Sequence, residues 1–344
     1  MKILLTGHTG YIGSVLAPLL CDNGHDVVGL DSGLYDGCDF APMRAIPTLA
    51  MDVRDVQVEH LIGFDAVLHL AALSNDPLSD LDPGLTYEIN HHASVRLARL
   101  ARQAGVSRFI FSSSCSLYGA AGDDFLDETA AFNPVTAYGE SKVFVERDVR
   151  QLADANFSPT FLRNATAYGV SPRLRGDLVV NNLVGYACTI GEVLIKSDGT
   201  PWRPLVHISD ISAAFLAVLQ APRELVHNES FNVGQTGENY RIRDVAEMVR
   251  EIVPGSTITY AADGGPDARC YRVDCSKIAR VLRDFRPSWT VREGVAELYA
   301  AYQRANLTLE DLQGARYIRL ARIRELLETG QLDAALRFRS PVSA

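Results

Sequence analysis

The sequence predicts an α/β protein in which a doubly wound parallel sheet is followed by a smaller C-terminal lobe. Short apolar runs typical of buried parallel strands recur in the first half of the chain, at residues 3–5, 27–30, 66–72 and 108–111. Helix-like patterns separate these runs, and the connections are short. Alternation of strand and helix with short connections is typical of a parallel sheet with helices on both faces.

A glycine-rich turn follows the first predicted strand at once. Gly7, Gly10 and Gly13 form a G-x-x-G-x-x-G pattern that runs into the first predicted helix. Gly7 would allow a sharp turn, Gly10 a close approach of a pyrophosphate, and Gly13 tight packing of helix on sheet. The helix N-terminus would then offer N–H groups and partial positive charge to phosphates. We therefore predict a Rossmann-type dinucleotide site, which includes the turn residues Tyr11 and Ile12.

The ends of the next strands extend this predicted site. Asp31 follows the second strand, eighteen residues after Gly13, where it would accept hydrogen bonds from the adenosine ribose. Its carboxylate would repel a 2′-phosphate, which favours NAD(H) over NADP(H). Asp52 and Val53 would meet the adenine, or else form a surface turn. The residues that end the third strand would let a ligand lie against the backbone; these are Leu70, Ala71 and Ala72.

Length and composition limit the possible organisation. The chain has 344 residues, 47% hydrophobic and 22% charged, as in an ordinary globular protein. We predict a dinucleotide-binding domain at 1–165 with returns near 205–235, a substrate lobe at 166–305, and a helical extension at 306–344.

Charge and cysteine usage exclude some classes of partner. A net charge of −9 gives no electrostatic footprint for nucleic acid or an anionic membrane, and no apolar run approaches the ~20 residues needed to span a bilayer. The six cysteines show neither a C-x-x-C pair nor zinc-ligand spacing, so no metal site is expected. We expect all six to be reduced thiols. With no signal-like segment at the start, a cytoplasmic protein is expected.

A tyrosine and a lysine fall on one face of a predicted helix. Tyr138 and Lys142 are four residues apart, so one helical turn brings their side chains together. An isolated pair of this kind would be an ordinary surface feature. Here Tyr138 follows Ser114, in a serine-rich strand end at 112–119, by twenty-four residues.

Together these motifs resemble those of the extended short-chain dehydrogenases/reductases, in the nucleotide-sugar epimerase/dehydratase family. The matching pieces also include Asn90 and the segments 203–210, 231–234 and 271–277. The resemblance implies that Asn90, Ser112, Tyr138 and Lys142 contact bound NAD. It also implies a homodimer paired through helices near 93–104 and 140–155.

The resemblance further implies catalytic roles for Ser114, Tyr138 and Lys142. A phenol has a reference pKa of about 10, so the Lys142 ammonium and an oxidised nicotinamide would both favour the phenolate. Tyr138 would remove a proton from a sugar hydroxyl while the neighbouring carbon gives hydride to NAD⁺. Ser114 would hydrogen-bond the reacting oxygen.

A nucleotide-diphosphate sugar is the implied substrate. Arg203 is the first candidate for the diphosphate and Arg269 the second, since a guanidinium matches phosphate oxygens; a surface ion pair is the alternative for either. The predicted substrate-binding residues are Ser74, Asn75, Ser114, Cys115, Ser116, Asn164, Asn182, Arg203 and Arg269.

Smaller features select the reaction. Family dehydratases carry Asp-Glu after the catalytic hydroxyl residue, whereas this chain has Cys115 and Ser116. Asp31 opposes NADPH, so a net reductase is disfavoured. We therefore predict a 4-epimerase with retained NAD. The alternatives are a 4-ketoreductase of a nucleotide-linked deoxysugar that uses NAD(P)H, and a non-catalytic NAD sensor or scaffold.

The last forty residues lie outside the resemblance. Residues 315–329 form an arginine-rich amphipathic pattern, predicted to be a helix with a solvated or salt-bridged face; a lid or partner role is the alternative.

Overall fold

A seven-stranded parallel sheet forms the centre of the fold. This computed structural model describes residues 1–74, 82–265 and 269–339. The strands are β1 (Lys2–Thr6), β2 (Asp26–Asp31), β3 (Thr48–Ala50), β4 (Ala66–His69), β5 (Arg108–Ser114), β6 (Ala120–Leu126), β7 (Ser158–Asn164), β8 (Thr166–Tyr168), β9 (Glu192–Ser197), β10 (Trp202–His207), β11 (Ser230–Val233), β12 (Asn239–Arg241), β13 (Thr257–Gly265) and β14 (Cys270–Val273). The large sheet has the order β3-β2-β1-β4-β5-β7-β11, and all of its pairings are parallel. The strand order reverses between β1 and β4, which is where open α/β sheets bind ligands.

Helices cover both faces of this sheet, and further helices lie in the smaller lobe and in the C-terminal extension. They are α1 (Gly13–Asp22), α2 (Pro83–Thr86), α3 (Ala93–Gln103), α4 (Ala137–Arg150), α5 (Val179–Ile190), α6 (Ile208–Gln220), α7 (Arg223–Val226), α8 (Ile242–Ile252), α9 (Ser276–Val281), α10 (Val291–Ala305), α11 (Leu309–Gln313) and α12 (Arg319–Glu328). Because successive strand side chains alternate in direction, Ile3 and Leu5 pack with α1 and α6, and Leu4 packs with α3 and α4. The predicted doubly wound α/β fold is confirmed.

Two predicted elements differ in detail. The helical pattern at 85–104 is one continuous helical path with a π-helical turn at Tyr87–His92 between α2 and α3. This wider turn contains the buried Asn90, and such turns are frequent at functional sites. The strand predicted at 66–72 ends at His69, so residues 70–72 lie beyond its last sheet residue.

A second lobe lies after β7 in the chain. It contains the three-stranded sheet β12-β10-β8 and the pair β13-β9, while β14 pairs with β6. Side chains from α5, α8 and α10 share its apolar core. The seventh strand of the large sheet, β11, lies in the region 205–235, where the chain was expected to return to the dinucleotide-binding domain. The boundaries of the domains stay a prediction.

The C-terminal extension packs onto the first half of the chain. Ile323 and Leu326 of α12 share an apolar cluster with Leu73 and Leu85. The expectation of a solvated arginine face is therefore wrong for Arg319, which is 2% exposed, because this helix is docked on the sheet domain. Among the described residues, none of the helices is long and apolar enough to cross a bilayer.

Candidate active site

One large cleft lies at the carboxyl ends of β1, β2, β4 and β5, and residues of the second lobe line its other side. Its volume is about 850 Å³, near the upper end of the ~300–1,000 Å³ typical of ligand sites. The cleft brings together every predicted cofactor residue except Asn90, and every predicted substrate residue except Cys115 and Asn75. Asn75 lies outside the described residues.

The glycine turn is shaped as a cradle that only glycine permits. Gly7 has a φ of +71°, and a Cβ there would lie 2.8 Å from the Ala71 backbone nitrogen. A Cβ on Gly13 would lie 2.2 Å from the Gly7 carbonyl oxygen. No side chain caps the N-terminus of α1, and its first turn carries no acid. The helix end is therefore available to an anion, which fits a dinucleotide diphosphate.

Asp31 is held at the edge of this cradle by two backbone donors. Its carboxylate oxygens accept hydrogen bonds from the Thr9 nitrogen at 3.1 Å and the Gly33 nitrogen at 3.0 Å. A carboxylate has about four acceptor positions, so lone pairs remain for ribose hydroxyls.

The Asp52 carboxylate, unlike that of Asp31, is paired with an arginine side chain. Its carboxylate lies 2.6 Å from the Arg54 guanidinium and caps the turn that follows. Burial would raise the pKa of Asp52, but hydrogen bonds from Arg54 outweigh burial and hold it below its usual value. The adenine contact predicted for this carboxylate stays a prediction.

Asn90 and Cys115 do not reach the cleft. The Asn90 amide accepts from the Leu73 nitrogen at 2.8 Å and donates to the Leu73 oxygen at 2.9 Å, so it fixes the loop after β4. The Cys115 thiol is fully buried and lies 3.1 Å from the Arg163 carbonyl oxygen, to which it donates. Burial raises the pKa of this thiol, which removes it as an acid or base. The sequence located both residues correctly along the chain but could not show where their side chains point.

Tyr138 and Lys142 meet in the cleft as predicted. Thr136 caps α4 by accepting from the Gly139 nitrogen at 3.2 Å, which fixes where the helix begins. The Lys142 Nζ lies 5.4 Å from the centre of the Tyr138 ring and donates to the Ser112 carbonyl oxygen at 2.7 Å. Burial lowers the pKa of Lys142 to about 7, against the opposing effect of the Glu146 carboxylate.

Three hydroxyl groups of the same cleft are joined by hydrogen bonds. Ser114 Oγ accepts from the Ser116 nitrogen at 3.1 Å and donates to Ser116 Oγ at 3.0 Å. The Ser116 side chain hydrogen-bonds the hydroxyl of Tyr271, a buried residue that also lines the cleft. Sequence reasoning matched the segment of Tyr271 to the family but did not assign this residue to the site.

Asn164 presents a buried acceptor to the cleft. Its Nδ2 donates to Ser112 Oγ at 3.1 Å, while its Oδ1 is buried without a hydrogen-bond partner among the described residues. Because an unpaired buried acceptor is costly, a ligand donor at this position would be favoured.

Arg175, Arg203 and Arg269 line the cleft. Arg203 is 6% exposed and donates to the backbone oxygens of Trp202 and Arg269, so it is a buried residue and not a surface one. Arg175 was missed by sequence reasoning. It pairs with Asp177 through two contacts of 2.9 and 3.0 Å and donates to Ser74 Oγ at 3.2 Å. Only the fold brings it there, from a position 101 residues after Ser74.

The burial of Lys142 predicts a pH-dependent contribution to stability. An unfolded lysine has a pKa of about 10.4, so between pH 7 and 10 the unfolded chain binds more protons than the folded one. Stability should rise with pH in this window by up to ~1.4 kcal/mol per pH unit, a slope that Lys142→Met removes. Urea unfolding at pH 7 and 9 measures it, with the exposed Lys196→Met as control. Equal slopes in the wild type and Lys142→Met would contradict it.

Comparison with known proteins agrees with this site. Residues 3–234 match the model of the NAD dependent epimerase/dehydratase family, and the chain belongs to this family. The UDP-glucose 4-epimerase of Corynebacterium glutamicum is 32% identical over 267 residues, which cover 73% of this chain and 80% of that protein. The enzyme of the same name from Neisseria meningitidis serogroup B is 29% identical over 80% of this chain and 89% of its own length. The solved structure of MoeE5 in complex with UDP-glucuronic acid and NAD aligns with a TM-score of 0.77 and 28% identity, over 89% of this chain and all of that one.

Proposed function

We propose that this protein is an NAD-dependent nucleotide-sugar epimerase that inverts C4 of the sugar through a transient keto sugar, with NAD retained. The observation that carries the proposal is that Tyr138, Lys142 and Ser114 line the same cleft as the open glycine cradle and Asp31. The relatives named UDP-glucose 4-epimerase support the reaction and a uridine diphosphate sugar as substrate.

The chain's own groups supply proton transfer and orientation. Tyr138 takes the proton of the sugar 4-hydroxyl and later returns it, while Ser114 holds the reacting oxygen. Lys142 lies one turn from Tyr138, where its ammonium stabilises negative charge on the phenol oxygen. NAD, held by the glycine cradle and Asp31, would supply reversible hydride transfer. Arg203 and Arg269 hold the diphosphate, so the sugar can turn between the two transfers.

Two other reactions are less well supported. A dehydratase needs an acid and a base next to Ser114, but Cys115 is buried away from the cleft. A ketoreductase that consumes NADPH is disfavoured by Asp31. A non-catalytic NAD sensor or scaffold would not need Tyr138, Lys142 and Ser114 together in one cleft.

The test is turnover of UDP-glucose and UDP-galactose by the purified protein with no added nicotinamide cofactor. Proton NMR should show interconversion of the two sugars. Denaturing the protein with acid should release the NAD that it had bound. Absence of bound NAD together with stoichiometric oxidation of added NADPH would establish the ketoreductase instead.

Asp31 should set the preference for NAD over NADP. Asp31→Asn keeps one of the two oxygens that accept from the Thr9 and Gly33 nitrogens and removes the charge that repels a 2′-phosphate. We expect the ratio of the NADP⁺ and NAD⁺ dissociation constants to fall by about tenfold, since a charge effect of this kind is worth ~1–2 kcal/mol. Titration calorimetry with both cofactors measures the ratio, and an unchanged ratio would exclude this role.

We also propose a cytoplasmic homodimer paired through α3 and α4. The six cysteines are free thiols, which supports a reducing compartment. Sedimentation velocity tests the dimer.

A further inference from the structure

The C-terminal extension contributes to the wall of the cofactor cleft. Ile318, Arg319 and Leu336 line the cleft together with the glycine turn. Leu332 and Leu336 belong to the same apolar cluster as Ile323 and Leu326 of α12, so the segment after the helix is docked as well. The cleft is therefore built in part by residues outside the family match at 3–234.

Arg319 is a buried cation that forms no direct ion pair with a described residue. Its guanidinium lies 4.0 Å from the centre of the Tyr35 ring and, within the part of the chain that the structure describes, makes one hydrogen bond, to the Arg173 carbonyl oxygen at 3.2 Å. Within the described ranges 1–74, 82–265 and 269–339, no carboxylate lies within 4.0 Å of it. Burial lowers the pKa of Arg319 to about 10, which leaves it charged at neutral pH.

The neighbours of Arg319 add positive charge. Arg175 and Arg173 repel the charge on Arg319, whereas Tyr35 and the Asp177 carboxylate, which is already bound by Arg175, favour it. Arg175 is paired with Asp177, and Arg173 lies 3.3 Å from Asp39, whose side chain is 43% exposed. A buried guanidinium with cationic neighbours is costly unless an anion enters the site. The cleft wall at Arg319 thus favours an anionic ligand.

The position of this cation relative to the glycine turn identifies the anion. Arg173 Nε donates to the Thr9 carbonyl oxygen at 2.9 Å, so the residue that accepts from Arg319 also holds the glycine turn. The candidates for the substrate diphosphate, Arg203 and Arg269, neighbour Tyr271 instead. The anion next to Arg319 is then the diphosphate that the glycine cradle receives.

We propose that Arg319 is a counter-ion of the cofactor diphosphate, and that the C-terminal extension is a built-in part of the cofactor site. This rests on the proposed NAD site. The extension lines the cleft together with the glycine turn and slows loss of the cofactor, as a reaction with retained NAD requires.

The experiment compares Arg319→Met with two matched variants of the full chain. Arg319→Met keeps an unbranched side chain over Tyr35 but removes the charge. Arg319→Lys keeps the charge but loses the planar fork. Arg324→Met makes the same change at an exposed position of the same helix. Each protein is stripped of nucleotide and titrated calorimetrically with NAD⁺, ADP-ribose and UDP, and the NAD that co-purifies with each chain is quantified.

We expect Arg319→Met to weaken NAD⁺ and ADP-ribose alike by about 10- to 100-fold, the range of a lost charge-assisted hydrogen bond, with UDP affinity unchanged. Co-purified NAD should fall in Arg319→Met and persist in Arg324→Met. Unchanged NAD⁺ affinity, or a loss confined to UDP, would overturn the proposal.

Melting temperatures of the stripped proteins separate binding from folding. If Arg319→Met fails to fold, Arg319→Gln, which also removes the charge but keeps a hydrogen-bonding side chain, decides the question: a loss of NAD⁺ affinity with UDP unaffected supports the proposal, and wild-type affinity for both overturns it. If the wild-type chain binds UDP but no NAD⁺, the proposed function itself fails, which is a different result from any of these.

Discussion

Tyr138→Phe should lower turnover by at least ~100-fold, the usual effect of losing a general acid or base, with bound NAD retained. The substitution removes one oxygen and leaves the ring against Lys142, whose Nζ lies 5.4 Å from the ring centre. Because the aromatic surface is kept, the cleft should keep its shape. Turnover of UDP-glucose followed by proton NMR, beside NAD content per chain, measures the effect.

Tyr271→Phe is the matched control. Tyr271 lines the same cleft and hydrogen-bonds Ser116, but it does not neighbour Lys142 along a helix. Its loss should alter turnover far less than loss of Tyr138. If Tyr138→Phe turns over within a few-fold of the wild type, the assignment of Tyr138 is wrong. If the wild type shows no turnover and Tyr138→Phe binds ligands equally well, the non-catalytic alternative stands.

Glu146→Gln should destabilise the fold by about 3–5 kcal/mol, the cost of leaving a buried partner charge uncompensated. The Glu146 carboxylate, with 1% of its side chain exposed, lies 2.8 Å from the Arg163 guanidinium, which is 3% exposed. It also accepts from Ser113 Oγ at 2.6 Å and Ser230 Oγ at 3.2 Å. These contacts join α4 to β5, β7 and β11, so the loss should affect the whole sheet domain. Urea unfolding at pH 7 measures it.

A solvent-exposed pair provides the control for Glu146. Glu251 lies 2.6 Å from Arg292, and both side chains are about half exposed, so Glu251→Gln should cost less than ~1 kcal/mol. Equal losses in the two variants would contradict the argument from burial.

The effect of Glu146→Gln should also depend on pH. Burial alone would raise the pKa of Glu146, but hydrogen bonds from Arg163 and Ser113 outweigh it and hold the pKa below its usual value. A depressed carboxyl pKa gives stability that is fully present above the unfolded pKa of about 4.3 and is lost as the pH falls through the folded value. The difference between wild type and Glu146→Gln should therefore be constant near neutrality and shrink in acid.

Glu146 also connects stability to the active site. It lies one helical turn after Lys142, and its charge raises the pKa of that lysine. Neutralising Glu146 should therefore lower the pKa of Lys142 further and reduce the charged fraction beside Tyr138 at pH 7.

The sequence predicted best where spacing along the chain fixes geometry. The glycine turn requires only glycines three residues apart at the start of a helix. The position of Asp31 requires only that one strand follow that helix and end at this residue. The pair of Tyr138 and Lys142 requires only one helical turn. Asn90 and Cys115 do not line the cleft, because side-chain direction depends on what packs around them. Asn90 faces the backbone of Leu73, and Cys115 faces that of Arg163.

By itself, therefore, the sequence determined the fold class, the glycine turn of the dinucleotide site and the meeting of Tyr138 with Lys142, since local spacing in a helix or strand converts directly into position. Only the tertiary structure decided the rest of the cleft. Arg175, Tyr271 and Arg319 reach it by contacts between distant parts of the chain, and Arg319 bonds a residue 146 positions before it. Such contacts arise from the closure of the sheet domain, the second lobe and the C-terminal helix on one another, and no spacing along the chain encodes them.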